Sequence, residues 1–393
     1  MKKNCRNMER LKVRHFGPLR DVDVSWGDLT VLIGPQASGK SLFLELFKLI
    51  EDNRSVTETL RRYNYILPDD NASPMLDMYF GEGLHTLFSE HTCIECDAEP
   101  FPIDRLLPSA EVNDGMLESV FYVPAQRILG ISDGRPKNFM EFDNSAPYVL
   151  KIFSETLRVF MQSGLGNPDV VFPMHNRLKG GIKHSIDQSV FHGAQVVIDQ
   201  SGGQRKMKLK VGRTALPFMT WSAGQKEFMP LLLAMYCLSG PPTSVINKEA
   251  YEWVVVEEPE MGLHPRAIQT VLLQMLELLQ AGYRLIVSTH SPTVLEFLWV
   301  FESLKHLPPE TFRSALADLF GIDAASTAAQ VLDGLSEKRM KTYFFNPQDD
   351  GGVTSRDISS LDVASDDVFE AEWGGLSAFS SRAVDVVSKY YTE

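Results

Sequence analysis

The chain has 393 residues, 44% hydrophobic and 23% charged, a soluble globular balance with room for one large domain or two smaller ones. Its net charge of −13 argues against sequence-blind binding along a nucleic-acid backbone. No apolar run approaches the ~20 residues of a membrane span, and Met1-Lys-Lys-Asn-Cys-Arg-Asn lacks the apolar stretch of a secretory signal, so a cytoplasmic protein without membrane contact is expected.

The first informative element is Leu29-Thr-Val-Leu-Ile33, a short apolar run that reads as a buried strand. Gly34-Pro35-Gln36-Ala37-Ser38-Gly39-Lys40-Ser41 follows, with four free positions between Gly34 and the Gly39-Lys40-Ser41 end, the spacing of a phosphate-binding loop. Leu42-Phe-Leu-Glu-Leu-Phe-Lys-Leu-Ile50 then reads as a helix. In that context backbone N–H groups and the helix N-terminus turn toward an anion. Lys40 is expected to reach the β- and γ-phosphates of ATP, and the Ser41 hydroxyl to ligate Mg2+.

Residues 61–220 read as an inserted region of short strands, Pro/Gly-rich loops such as Leu67-Pro-Asp-Asp70, and helical segments such as Tyr148–Phe160. No heptad pattern persists, which excludes a long coiled-coil arm and counts against a chromosome-condensing or Rad-type tethering machine. The cysteines are Cys5, Cys93, Cys96 and Cys237; His91-Thr-Cys93-Ile-Glu-Cys96, with His85 nearby, lacks the second Cys/His pair of a structural zinc site and reads as a strand with reduced thiols. Residues 177–213 are locally basic: Arg177, Lys179, Lys183, Arg205, Lys206, Lys208, Lys210 and Arg213 stand against Asp187 and Asp199. Lys206, Lys208 and Lys210 alternate with Met207 and Leu209 and so share one face of a strand. That face reads either as solvated or as a contact for nucleic acid or an acidic partner.

Trp221-Ser222-Ala223-Gly224-Gln225-Lys226 opens an apolar helix, Phe228–Tyr236, and Ser222 is a favoured helix cap. Val254-Val-Val256 is β-branched and reads as a central parallel strand. Glu257 and Glu258 lie at its carboxyl end, where ligands bind in open α/β sheets. Glu257 is the candidate for the magnesium shell and Glu258 for the general base that polarises the attacking water. Arg284-Leu-Ile-Val-Ser-Thr-His290-Ser-Pro292 reads as another strand, ending in a histidine. Beyond it, residues 301–393 read as a helical region, a hairpin joining Thr342–Phe345 to Val353-Thr-Ser around Asp349-Asp-Gly-Gly352, and a final amphipathic helix.

Phosphate loop, Trp221–Lys226, paired acids and histidine occur in the order of ABC-type ATPases, which this chain resembles. Ala223 stands where the signature motif of that class usually has glycine, and Glu257 where many relatives have Asp. The wording Glu257-Glu-Pro-Glu260, Leu263-His-Pro265 and Ser288-Thr-His-Ser-Pro292 is similar to the RecF-like and OLD-like branch rather than to transporter subunits. Leu11–Leu19 is similar to the first strand of that branch, and Phe121-Tyr-Val-Pro-Ala-Gln126-Arg127 to the segment after its lobe-connecting strand. The resemblance implies an α/β, ABC-type P-loop NTPase with a mixed or parallel central sheet, divided into a first ATPase lobe (1–60), the inserted α+β region (61–220), the second part of the core (221–300) and a small C-terminal extension (301–393). It makes His290 the switch residue at the γ-phosphate. Ser222, Gly224 and Gln225 become the signature that caps ATP held by a second subunit, in a homodimer or higher oligomer. Gln126 is either the glutamine that senses magnesium and γ-phosphate or a buried polar residue at a strand-to-loop corner. The implied output is control of a separate effector such as a nuclease, in anti-phage defence of the PtuA or AriA type; the alternative is a RecF-like repair ATPase acting directly on DNA. OLD-type nucleases carry a Toprim domain after the histidine, and neither its length nor its glutamate-plus-DxD pattern is found here, so nuclease work is expected of a partner chain.

Overall fold

Side-chain alternation sets the first hairpin. Leu11, Val13 and Phe16 of β1 (Arg10–Phe16) are buried, as are Leu19, Val22 and Val24 of β2 (Leu19–Ser25), and the antiparallel register pairs Leu11 with Val24 and Val13 with Val22. β3 (Leu29–Ile33) is buried at every position, as a parallel strand covered on both faces must be. The computed structural model describes residues 8–68, 70–107, 117–165, 169–174, 176–200 and 203–390. Cys5 and the charged opening segment, Asp69 of the early loop, and 391–393 lie outside the described residues.

After the loop at 34–39 come α1 (Lys40–Arg62), α2 (Ser73–Phe80), β4 (Phe88–Cys96), β5 (Glu99–Pro100) and β6 (Val120–Val123). A small hairpin, β7 (Ile131–Ser132) and β8 (Arg135–Pro136), precedes α3 (Tyr148–Val159). Then follow β9 (Val170–Phe172), α4 (Gly180–Ile186), β10 (Gln195–Asp199), β11 (Lys206–Val211) and β12 (Thr214–Pro217). The second half runs α5 (Ala223–Ser239), β13 (Trp253–Glu257), α6 (Pro265–Gln280), β14 (Arg284–Ser288), α7 (Pro292–Leu304) and α8 (Pro309–Phe320). It closes with β15 (Met340–Pro347), β16 (Val353–Asp357), α9 (Val368–Ala371) and α10 (Ala378–Tyr390).

Among the described residues ten strands form one mixed sheet in the order β5-β4-β1-β2-β16-β15-β3-β14-β13-β6. Its heart, β15-β3-β14-β13-β6, is parallel. α1 packs Phe43, Leu46 and Phe47 on one face, against Leu32, Trp253, Val255 and Ile286. α5, α6 and α7 cover the other face, against Val31, Val254, Val256 and Val287. β9 to β12 form a separate antiparallel sheet, an α+β lobe with α4.

The sheet crosses the boundaries read from the sequence. β4, β5 and β6 come from the region read as an insertion, yet they extend the central sheet. The hairpin expected in a C-terminal extension forms, but β15 lies beside β3, pairing Tyr343 with Leu32 and Phe344 with Ile33. Among the described residues β9 to β12 and the small β7–β8 hairpin stand apart as sheets of their own. The physical reason is burial: Tyr343, Phe344 and Phe345 carry too much apolar surface to stay outside the core. α10, by contrast, leaves Phe379, Val384, Val386, Val387 and Tyr390 exposed.

Candidate functional site

The chain leaves β3 at Ile33 and turns through a left-handed loop into α1. Gly34 has φ 151°, and a Cβ there would lie 2.6 Å from the Phe345 carbonyl of β15. Gly39 has φ 77°, and its Cβ would meet the Leu19 side chain at 2.6 Å. These two positions accept only glycine without displacement. Ala37 also sits at φ 60°. Among the described residues no side chain caps α1, so its first N–H groups remain open to an anion.

Lys40 is 6% exposed. Its Nζ donates to the carbonyls of Gly34 and Pro35, both at 2.9 Å, and to Ser38 Oγ at 3.1 Å. Burial lowers its pKa to about 8, opposed by the charges of Glu258, Glu257 and Glu260. The amine is thus held inside the loop by its own backbone, facing three carboxylates.

β13 delivers those acids. Glu257 is 3% exposed. Its Oε2 accepts from the Ala125 N–H at 3.2 Å, while Oε1 is buried without a hydrogen-bond partner among the described residues. Burial pushes its pKa up, and the Ser41 and Tyr122 hydroxyls pull it back. Glu258 takes φ 42°, an uncommon conformation for a glutamate, and donates its N–H to the Ser288 carbonyl at 2.8 Å. Its Oε1 lies 3.5 Å from His290 Nε2. His290 is shifted toward its neutral form by burial first and then by Lys40, against Glu258 and Glu260.

Lys40, Ser41, Glu257, Glu258 and His290 are therefore brought together. Glu260, which the sequence reading assigned no role, joins them. Its Oε1 accepts from Thr289 Oγ1 at 2.8 Å and from the His290 N–H at 2.6 Å, tying the acid loop to the histidine loop. A divalent cation fits this donor set, because the buried Glu257 Oε1 has an open acceptor position and Ser41 stands beside the same carboxylate.

Gln126 is exposed, at the start of a short turn over Arg127–Gly130, so the buried-corner reading fails for it. The buried residue is its neighbour, Arg127, which the sequence reading passed over; an arginine directly after a strand-end Pro-Ala-Gln was the available signal.

Ser222, Gly224 and Gln225 bond elsewhere. Ser222 Oγ accepts from the Gln225 N–H and Gln225 Oε1 from the Ser222 N–H, both at 3.2 Å, a reciprocal capping box on α5. Gln225 Nε2 donates to the Val190 carbonyl at 3.2 Å. A Cβ on Gly224 would stand 2.7 Å from the Gly262 carbonyl, so glycine here permits the close approach of α5 to the loop after the acids.

The basic stretch divides. Met207 and Leu209 of β11 are buried, with the alternate lysines facing away, as the pattern predicts. Lys206 pairs with Asp133, Lys208 pairs with Asp199 at 2.7 Å, and Arg177 is buried on the carbonyls of Tyr236, Pro241 and Gly164. His91 is exposed at the edge of the sheet, and no disulfide joins Cys93, Cys96 or Cys237 among the described residues. No described helix is long and apolar enough to cross a membrane.

A parallel sheet core, a glycine loop leading from β3 into a helix, and paired acids at the end of β13, one strand beyond β14, define an α/β P-loop NTPase fold. The family model described as "AAA domain, putative AbiEii toxin, Type IV TA system" matches residues 172–296, adding an AAA-type ATPase likeness. The Old nuclease of Escherichia phage P2 is similar at 25% identity over 130 residues, 30% of this chain. The match spans 22% of that relative's length. Among solved structures, the SmcHead bound to the C-winged helix domain of ScpA aligns at 10% identity and a TM-score of 0.39, covering 89% of this chain and 97% of that one. The SMC head domain from Thermotoga maritima aligns at 11% identity and a TM-score of 0.34, covering 89% and 98%. A bacterial Atm1-family ABC exporter with ATP bound aligns at 11% identity and 0.31, covering 74% and 36%. At those scores the fold assignment stands on strand order and loop geometry.

Proposed function

We propose that the protein is a magnesium-dependent ATPase whose chemistry lies between the 34–41 loop and the carboxyl ends of β13 and β14. The observation that carries this reading is the buried Glu257 Oε1, left without a partner beside Ser41 and facing the Lys40 loop. A buried carboxylate oxygen without a donor is costly unless a ligand supplies one.

The loop N–H groups and Lys40 bind the phosphates, with Lys40 exchanging its Gly34 and Pro35 carbonyls for phosphate oxygens. Ser41 and Glu257 would hold magnesium, which supplies charge neutralisation at the phosphates. Glu258 accepts the proton of the attacking water as the bond from its oxygen to the γ-phosphorus forms and the bond to the leaving ADP breaks. Neutral His290, aimed by Glu260 through its backbone N–H, donates to the γ-phosphate. Gln126, exposed and next to Ala125, whose N–H donates to Glu257, is the candidate sensor of the bound state.

We further infer that ATP joins two copies of the chain. The start of α5 offers N–H groups and a positive dipole end to an anion, and Ser222 is exposed. The output of that dimer is control of a separate effector in anti-phage defence. Mixing inactive Lys40→Ala chains with inactive Ser222→Arg chains tests the shared site: the heterodimer keeps one site intact from both sides, so turnover should return in part. No recovery after demonstrated subunit exchange removes the shared-site reading. Phosphate release that persists when EDTA replaces Mg2+ removes the metal role.

A further inference from the structure

Arg127 is wholly buried, yet its hydrogen bonds run to backbone carbonyls rather than to carboxylates. Nε donates to the Glu227 carbonyl of α5 at 3.1 Å. Nη1 donates to the carbonyls of Glu257 at 3.1 Å and Glu258 at 3.2 Å, and Nη2 to Glu258 again at 3.2 Å. The pairing of β13 with β6 ends at Val256 and Val123, so the guanidinium takes the place of a further β6 residue opposite Glu257. It also grips the one glutamate of the pair whose backbone is left-handed, at φ 42°. A conformation of that kind persists only where its surroundings over-determine it.

We propose that Arg127 is a positioning residue that fixes the backbone of Glu257 and Glu258 and couples it to the second turn of α5. The inference rests on the ATPase reading for its consequence and on the carbonyl geometry for its substance. A planar fork with five N–H groups can hold three carbonyls on two elements at once, which a lysine ammonium on a flexible stem cannot do in that plane. Movement of α5, which Ser222 caps, is thereby passed to the direction in which Glu258 points. The side-chain hydrogen bonds of Arg127 among the described residues all end on backbone carbonyls.

The test compares Arg127→Met and Arg127→Lys with the wild type in two measurements. In steady-state ATP hydrolysis, Arg127→Met should lose at least about tenfold in kcat with KM changed by less than about twofold, the signature of a misplaced catalytic group rather than lost substrate binding. Arg127→Lys should fall between the two. In hydrogen exchange without nucleotide, amides at 256–262 should exchange faster in both variants while those of β3, at 29–33, stay protected. Unchanged protection at 256–262, or kcat within about twofold of wild type in a folded Arg127→Met, overturns the proposal. If Arg127→Met exchanges throughout, Arg127→Lys decides: local loosening at 256–262 with β3 intact supports the clamp, and full protection there overturns it. If the wild type itself releases no phosphate from ATP, the ATPase reading falls, and the exchange measurement still decides the clamp.

Discussion

The loop and acids around Lys40 and the start of α5 are two polar regions of one fold, and they end in opposite states. Around Lys40, Glu257 Oε1 and Glu260 Oε2 are buried without partners among the described residues, and the lysine bonds to carbonyls of its own loop. At the start of α5, Ser222 and Gln225 satisfy each other in a capping box and Gln225 also reaches Val190. One region is built for a ligand that would complete it. The other is complete, and Ser222 Oγ can keep accepting from the Gln225 N–H while its hydroxyl proton is donated to a phosphate. The difference teaches that one half of the proposed shared site has buried acceptors to be filled, while the other half is held in place by its own reciprocal hydrogen bonds.

The largest effect is expected at Lys40. Lys40→Ala should abolish ATP turnover with the fold retained, because removal of a preorganised charge at a developing phosphate charge is worth several kcal/mol. Phosphate release and circular dichroism check the two halves of that statement; retained turnover would remove the phosphate-loop assignment. Next, Glu258→Gln should bind ATP normally and hydrolyse it at least ~100-fold more slowly, since the amide keeps shape and loses basicity. Should Glu257→Gln instead spare binding and stop chemistry, the two acids have exchanged roles.

Smaller effects separate the regions by stability. Burial holds Lys40 at about 8 against an ordinary 10.5, so its charged form is disfavoured by the fold at every pH below 8. Between pH 8 and 10.5 the folded protein releases a proton that the unfolded chain keeps, and the Lys40 contribution to stability rises through that window. Lys40→Met, which has no such titration, should melt at or above the wild type at pH 7, and its advantage should shrink as pH rises from 8 to 10.5. A pH-independent difference in melting temperature would show that the amine is not strained by burial. Smallest is Ser222→Ala, expected to lower stability by about 1 kcal/mol through the lost cap, measured by denaturant titration. No loss would mean that the capping box is not the resting state of α5.

What could be read from the sequence was local. Leu29–Ile33, the loop and the helix after it announce themselves within about twenty residues by period and glycine spacing. Trp253–Glu257 does the same through its β-branched run, and Ser222 with Gln225 has capping-box spacing. What escaped depends on chain-distant partners. Nothing near Thr342–Phe345 reveals that it will pair with β3, because an apolar strand reads alike at the edge and at the centre of a sheet. Arg127 and Glu260 stand inside motifs that the sequence shows, but only the tertiary fold reveals their contacts with the carbonyls of Glu257 and Glu258 and with the His290 N–H.

The seating of β15 beside β3 has a consequence for the life of the chain. The wall behind Gly34 is the carbonyl of Phe345, more than three hundred positions later in synthesis. A ribosome that has delivered the loop, the acids and the histidine has still not delivered the strand against which the loop is shaped. Contacts so far apart form late and slowly. The nascent protein therefore cannot complete the wall behind Gly34 until Phe345 has left the ribosome.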